Sequence, residues 1–422
     1  MPLGLSPLFC SSMQVPLFIA RRIAFNKAPS FSRFIIRLAM GATALSVAAM
    51  VVTLGLVEGF QHTVSGKVYS FWGHVRVQAL APLRSMVAEE EPMERSPEMD
   101  QLIAQTADVQ HWHAFAAKSV VVKSKSDFEG LLLKGVSRSF SQSGFERFMV
   151  AGRSLQFADD SLYSQDLLLS QPAASQLQVQ VGDTVQMIFI RQGENIRSRN
   201  LVVCGLYKTG IDEYDRQFAL ADLAFLQRIN QWSNNEIGGY EIWMQQPRQA
   251  DTAAATLSAL LPQGVVAEPI KKLYPNIFDW LSIQNQTKLI VICVMIAVAV
   301  INLITCLLIL VMERARMVGV LQSLGMSQAG IQQIFWYYAA YIAGCGIAIG
   351  LALSLGLLGL QQATGFITMD EATYYVRQMP VRIIGWQVLA VAAGSFVVCL
   401  LALRLPLYFV NRIQPVKVLR FS

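Results

Sequence analysis

His111 and His113 flank Trp112 and form the most chemically suggestive pair in the chain. On a strand, residues two apart share a face, so both imidazoles could be offered to one metal ion. A zinc site needs three or four ligands. No cysteine stands nearby and no third ligand is evident, so the pair reads as structural and no metal is assigned. Motifs for other chemistry are missing. The chain has no G-x-x-x-x-G-K-[ST] phosphate loop, no H-E-x-x-H and no G-x-S-x-G. GLVEGF and GIAIG do not sit between a strand and a helix of a βαβ unit, so neither is a dinucleotide fingerprint. Asp212, Glu213 and Asp215 form an acidic turn after an apolar stretch and read as structural. Catalytic residues and a cofactor bound by this chain are therefore not expected. Cys204 is the only cysteine between residues 58 and 288, so that region cannot close an internal disulfide. Cys10 follows LSPLF, but Phe9 is bulky where a lipidation signal wants a small residue, and Met13 could equally be the start.

The elements that would position any such group are dominated by apolar sequence. The 422 residues are 54% hydrophobic and 15% charged, too apolar for an ordinary soluble enzyme of this length. Four runs are long enough to cross a bilayer. Leu38 to Val57 has no charge, and 20 residues at ~1.5 Å each reach ~30 Å, one hydrocarbon core. Leu289 to Met312 follows, then about Phe335 to Leu360, then Ile383 to Leu403. Gly346 and Gly350 in the third run have the small-xxx-small spacing that permits close helix approach.

Basic residues set the orientation. Arg21, Arg22, Lys27, Arg33 and Arg37 precede the first run, Arg314 and Arg316 follow the second, and Arg404, Arg412, Lys417 and Arg420 follow the fourth. These three segments belong inside. Residues 58–288 carry 21 basic and 25 acidic side chains against 34 and 28 in the whole chain, so the basic excess lies beside the spans and not on a nucleic-acid-binding face. The fold class expected is an α-helical membrane protein with four transmembrane helices and a large α+β extracytoplasmic domain between the first and second. Its parts are an N-terminal arm (1–33), helix 34–57, the outer domain 58–288, helix 289–312, a cytoplasmic loop 313–334, helix 335–360, an outer loop 361–382, helix 383–404 and a tail 405–422.

Strands are expected in the outer domain at 74–80, 118–124, 130–136, 183–190, 199–207 and 238–244, where β-branched residues run between turn formers. Helices are expected from Pro97 to Val109, from Arg248 to Leu261 and in ALADLAFLQ; EEEPMERSP (89–97) reads as a surface loop.

The stretch ERARMVGVLQSLGMSQAGI, Glu313 to Ile331, ends the second run abruptly. Met317, Val320, Leu321 and Leu324 form one helical stripe, Gly325 is placed to end the helix in the left-handed region, and Ser327 to cap the next one. Such a helix can lie on a membrane interface, dock into a groove on a cytoplasmic partner, or simply link two spans.

This pattern closely resembles the coupling helix of the FtsX/MacB-type ABC transporter permeases. The matching residues are Glu313, Arg314, Gly319, Leu321, Leu324, Gly325, Met326 and Ile331. Pro406, Pro415, Leu419 and Arg420 match the family's tail. FIARRIAFNKAPSFSRFI, GLVEGFQ, GHVRV and GLYKTGIDEYDRQFALADLAFLQ are similar to the lipoprotein-releasing permeases of the LolC and LolE kind; the last includes Thr209, Gly210, Glu213, Tyr214 and Asp215. The resemblance implies a permease subunit in the bacterial inner membrane with its large domain in the periplasm. It would pair with a second permease and a separate cytoplasmic ATPase that carries ATP and Mg. It would extract lipoproteins for a periplasmic carrier. Acyl chains sit between the first two spans in that family, which here places Met50, Leu54, Phe60, Ile292 and Ile296 at the cargo. A MacB-like efflux or FtsX-like signalling permease is the alternative, and a passive receptor or adhesion protein a third class.

Overall fold

The computed structural model describes residues 31–80, 92–157, 163–189 and 197–402. The expectations for Cys10, Met13, most of the N-terminal arm, and Arg404, Pro406, Pro415, Leu419 and Arg420 in the tail fall outside these. The chain forms two compact units, one from residues 1–60, 282–367 and 378–422, the other from residues 61–281 and 368–377.

Among the described residues the elements begin with α1 (Phe31–Trp72), followed by β1 (Val75–Ala79), β2 (Met93–Glu94), α2 (Pro97–Gln105), β3 (Val109–Lys123) and β4 (Phe128–Val136). Next come β5 (Met149–Gly152), β6 (Asp166–Ser170), α3 (Gln171–Leu177), β7 (Thr184–Phe189), β8 (Arg197–Tyr207), α4 (Asp212–Gln217) and β9 (Phe218–Asp222). Then follow α5 (Leu223–Asn230), β10 (Glu236–Ile237), β11 (Gly239–Met244), α6 (Ala250–Leu260), β12 (Val265–Pro269) and α7 (Ile270–Leu273). The described residues end with α8 (Pro275–Glu313), α9 (Ala315–Ser323), α10 (Gln328–Thr364), α11 (Glu371–Tyr374) and α12 (Gly385–Ala402).

Among the described residues, four helices, within α1, α8, α10 and α12, are long and apolar enough to cross a membrane. Three outrun their apolar runs: α1, α8 and α10 have 42, 39 and 37 residues. Hydropathy marks only the greasy stretch, whereas the helix continues through polar sequence such as Pro275 to Lys288. In the unit that holds these spans, the Gly346 and Gly350 spacing lets α10 meet α1. A Cβ at Gly350 would lie 2.5 Å from the Ala44 carbonyl oxygen, and one at Gly346 2.9 Å from Thr43 Cβ. Gly59 of α1 meets the chain before α12 equally closely, since a Cβ there would sit 2.3 Å from the Pro380 oxygen. The amide of Asn302 donates to the Ala39 carbonyl at 3.1 Å, which satisfies the polar side chain in the second apolar run. Glu58 takes Lys288 at 2.9 Å and the Gln387 amide at 3.3 Å.

Among the described residues of the other unit, ten strands form a mixed sheet ordered β12-β1-β11-β3-β4-β9-β6-β8-β5, with β7 bridging β3 and β8. The pairings β3–β4–β9–β6–β8–β7–β3 therefore close a ring of six strands. β3 makes this possible by its length: its 15 residues pair with β11 at the start and with β4 and β7 further on. Val122, Leu133, Leu167, Leu169, Met187, Leu201, Val203, Ala219 and Ala221 are among the buried core residues.

All six expected strands are present, several shifted or longer. Pro97 starts α2 with Ser96 as its N-cap, but the helix stops at Gln105 and Val109 already opens β3. ALADLAFLQ is not one helix: Phe218 to Asp222 is a buried strand, and Asp222 then caps α5. EEEPMERSP is not wholly a surface loop, because Met93–Glu94 pairs with Glu236–Ile237 and Met93 is buried.

Candidate functional site

The segment between α8 and α10 is a capped helical lever. One residue, Arg314, interrupts the helix, with φ −97° and ψ 12°. After nine residues α9 ends at Leu324, and Gly325 takes φ +86°. The Gly325 amide donates to the Gln322 carbonyl and the Met326 amide to the Leu321 carbonyl, each at 3.0 Å. This is the Schellman pattern, which satisfies the carbonyls a helix end leaves free. Leu321 and Met326 pack against one apolar cluster of the unit, as the motif's usual apolar contact requires. Ser327 then caps α10 by accepting from the Gly330 amide at 3.3 Å.

The packed face differs from the expected stripe. Val318 and Gly319 are the buried residues of α9. Val320 and Leu324 are exposed, at 44% and 78%, and Met312 beside them at 77%. The apolar stripe was legible, but not which side the unit's own core would take. Of the eight residues that match the coupling-helix pattern, Ile331 and Gly319 are buried, Arg314, Leu321 and Met326 are half-buried, and Glu313, Leu324 and Gly325 are exposed. The eight thus divide into an anchoring set and an exposed set.

Of the residues placed at the cargo, Met50 lies in one apolar cluster with Ile292 and Ile296 packed against it. Leu54 and Phe60 are buried but outside that cluster. Met50 and Phe60 are 0% and 1% exposed, so neither can touch a ligand unless the surrounding helices part.

The acidic turn is a built structure. Asp215, buried, accepts from the Thr209 amide at 2.9 Å, the Thr209 hydroxyl at 2.7 Å and the Gly210 amide at 2.9 Å. Burial raises its carboxyl above the ordinary range, while these donors pull it down.

A second buried polar group was not foreseen. Lys134, fully buried on β4, contacts Glu241 at 2.8 Å and donates to the Phe71 carbonyl at 2.5 Å. Its ammonium lies 4.2 Å from the Trp72 ring and 4.6 Å from that of Phe71. A cation thus closes the C-terminal end of α1, where orphan carbonyls and the helix dipole favour one. His113 contacts the same Glu241 at 3.1 Å, and His111 stacks on Trp243, so the two histidines have structural partners. Among the described residues, no group of three or more His, Cys, Asp or Glu could hold a metal. Burial pushes the Glu241 carboxyl up, but Lys134, His113 and Arg76 outweigh it and hold it below the usual range.

His74 carries a pH dependence. Its Nδ1 accepts from the Met244 amide at 3.0 Å, which requires that nitrogen unprotonated. Burial first, and His111 second, lower its pKa from 6.5 to about 4. Between these values the unfolded chain takes a proton and the folded chain does not. The stabilisation is complete above pH 6.5 and disappears as pH falls towards 4, a loss on the order of 3 kcal/mol. His74→Asn keeps an acceptor and removes the titration. Thermal unfolding of the full chain from pH 7 to 4 should therefore fall less steeply in that variant; parallel curves would dismiss His74 as the cause.

Residues 289–415 match the FtsX-like permease C-terminal family, and residues 38–260 match the MacB-like periplasmic core domain. The chain is 23% identical to the "Lipoprotein-releasing system transmembrane protein LolC" of Neisseria meningitidis over 421 residues, covering 95% of this chain and 98% of that one. It is 23% identical to the LolC of Xylella fastidiosa over 435 residues, covering 96% and 99%. To the "Lipoprotein-releasing system transmembrane protein LolE" of Haemophilus influenzae it is 22% identical over 422 residues, again covering 96% and 99%. With the MacB-like match covering more than half of the chain and the FtsX-like match following it, the chain belongs to the FtsX/MacB-type ABC permeases.

Proposed function

We propose that this protein is the permease subunit of a lipoprotein-releasing complex in the inner membrane of a bacterium. The observation that most supports this reading is similarity over nearly the whole chain to relatives named for lipoprotein release, of both the LolC and LolE kinds. Four apolar helices embed the chain, and the sheet domain lies in the periplasm. A separate cytoplasmic ATPase binds ATP and Mg and docks on α9; Val320 and Leu324, with Met312 at the end of α8, give it an apolar surface, while Val318 and Gly319 of α9 and Ile331 of α10 are buried. A second permease, identical or homologous, completes the membrane part. Drawing an acyl chain from the bilayer costs about 0.8 kcal/mol per CH₂, so cargo extraction needs coupled ATP and an apolar shelter. Met50, Ile292 and Ile296 supply part of that shelter once the helices part, and a soluble periplasmic carrier takes the cargo onward.

The deciding experiment is depletion of the protein in its own cell, followed by separation of the two membranes and an inventory of lipoproteins in each. Outer-membrane lipoproteins should accumulate in the inner membrane. Unchanged sorting would defeat the releasing role and leave efflux or signalling permease as the reading.

Coupling is tested at Gly325. Valine at φ +86° is strained by about 1–3 kcal/mol, enough to displace the cap. No neighbour lies within 4 Å of a Cβ there, so the strain is confined to the backbone. Gly325→Val should insert normally and lower lipoprotein release per ATP hydrolysed by roughly tenfold. Unaltered release would count against the lever.

A further inference from the structure

Residues 368–377 lie in sequence between two of the long helices, α10 and α12, yet they belong to the compact unit built from residues 61–281. The segment is itself ordered. The Met369 amide donates to the Arg377 carbonyl at 3.0 Å, Asp370 caps α11 through the Thr373 amide, and Tyr375 takes φ +61°.

Side chains from three separate parts of the unit hold it. Lys208, just beyond β8, contacts Glu371 at 2.6 Å, with the two side chains 39% and 32% exposed. Lys67 of α1 donates to the Tyr375 carbonyl at 2.6 Å. Trp280 of α8 lies edge-on to the Tyr375 ring at 5.9 Å and tilted against Tyr374 at 6.4 Å. The fit at the centre admits only glycine: a Cβ on Gly210, at φ +75°, would sit 2.6 Å from Lys67 Nζ and 2.7 Å from Glu371 Oε1. The Asp215 carboxylate fixes that glycine by accepting from its amide and from Thr209. The turn KTGIDEYD therefore shapes the seat into which this segment fits.

We propose that residues 368–377 are a strap, clasped by Lys67 and Lys208 through Glu371 and the Tyr375 carbonyl, through which displacement of the sheet domain is passed to α10 and α12. The chain then crosses between the two units four times, at 60/61, 281/282, 367/368 and 377/378, and the strap, set between the last two crossings, is held by an ion pair. Two lysines face one glutamate, so reversing the glutamate replaces attraction with repulsion at both. The transmission part of the proposal rests on the permease reading; the clasp does not.

The test uses the full chain in lipid nanodiscs and amide hydrogen exchange read by mass spectrometry. Glu371→Lys should speed exchange across 368–377 by several-fold to about tenfold, with the middle of α10 unchanged. The paired reversal Lys208→Glu with Glu371→Lys restores the pair at position 208 but leaves Lys67 facing a lysine, so it should recover a part of the protection, which a variant that merely misfolds would not. Exchange unchanged in Glu371→Lys, or no recovery in the pair, overturns the clasp. The second arm compares lipoprotein release per ATP in the complex with its ATPase. Release lowered several-fold in Glu371→Lys and partly restored in the pair supports transmission; loosened exchange with normal release overturns it. The exchange arm needs no cargo, so it decides the clasp even if the wild-type complex releases no lipoprotein, a result that would count against the permease's proposed cargo instead.

Discussion

Replacing Lys134 by methionine should cost the sheet domain about 3–5 kcal/mol, the range for removing one partner of a buried ion pair. Lys134 and Glu241 are both fully enclosed, so the carboxylate left behind has no water to turn to. The Phe71 carbonyl at the end of α1 loses its donor as well. Methionine fills similar volume, so the loss reports charge and hydrogen bonding more than packing. Adding Glu241→Gln removes the stranded charge and should recover a part of the loss, because a neutral amide is far cheaper to bury. Chemical or thermal unfolding of the full-length protein in detergent, read by tryptophan fluorescence, measures both. Trp72 lies 4.2 Å from the lysine and serves as the local probe. A loss under about 1 kcal/mol for the single variant would place the pair among those that contribute little to stability.

Gly350→Val should be of similar weight in the helical unit. The new Cβ would stand 2.5 Å from the Ala44 carbonyl oxygen and 3.0 Å from Val47 Cβ, and the first of these is backbone that cannot rotate away. α10 and α1 must separate, at a cost of about 1–3 kcal/mol for overpacking and more where backbone must shift. In a bilayer the helices have little hydrophobic drive to re-form, since lipid tails are as apolar as leucine. The variant should yield less folded protein and clip faster with protease. Gly356→Val on the same helix is the control, because nothing lies within 4 Å of its Cβ. Equal behaviour of the two would show that close approach at Gly350 is not what holds these helices.

How much of this was readable from the sequence varies with the range of the interaction. The lever was readable because its signals are local: an apolar run, a charge, a glycine, a serine. Gly325 at positive φ and Ser327 as N-cap follow from propensities that need no distant partner. The side of α9 that packs was not readable, because Val318 and the stripe beside it are equally apolar and only tertiary contacts choose between them. Lys134 was hidden for the same reason. In GLLLKGV it reads as the solvent-facing member of a strand, and its acceptor, the Phe71 carbonyl, lies 63 positions earlier. Ala219 to Asp222 read as the start of a helix in ALADLAFLQ because a short apolar run buried on both faces shows no alternation. The acidic turn was located but not explained; its meaning depends on Lys67 and Glu371, which no local pattern connects.

The closed ring of strands has a mechanical consequence. In an open sheet one strand can slip past its neighbour by two residues and still keep its alternation of faces. Here a slip at any seam must be matched at the other five, because the pairings that leave β3 through β4 return to it through β7. Shear is thereby forbidden as a soft mode, and among the described residues of this sheet β12 and β5 stand at the two ends of the path. Torque applied to such a body turns it as a whole instead of being dissipated between its strands.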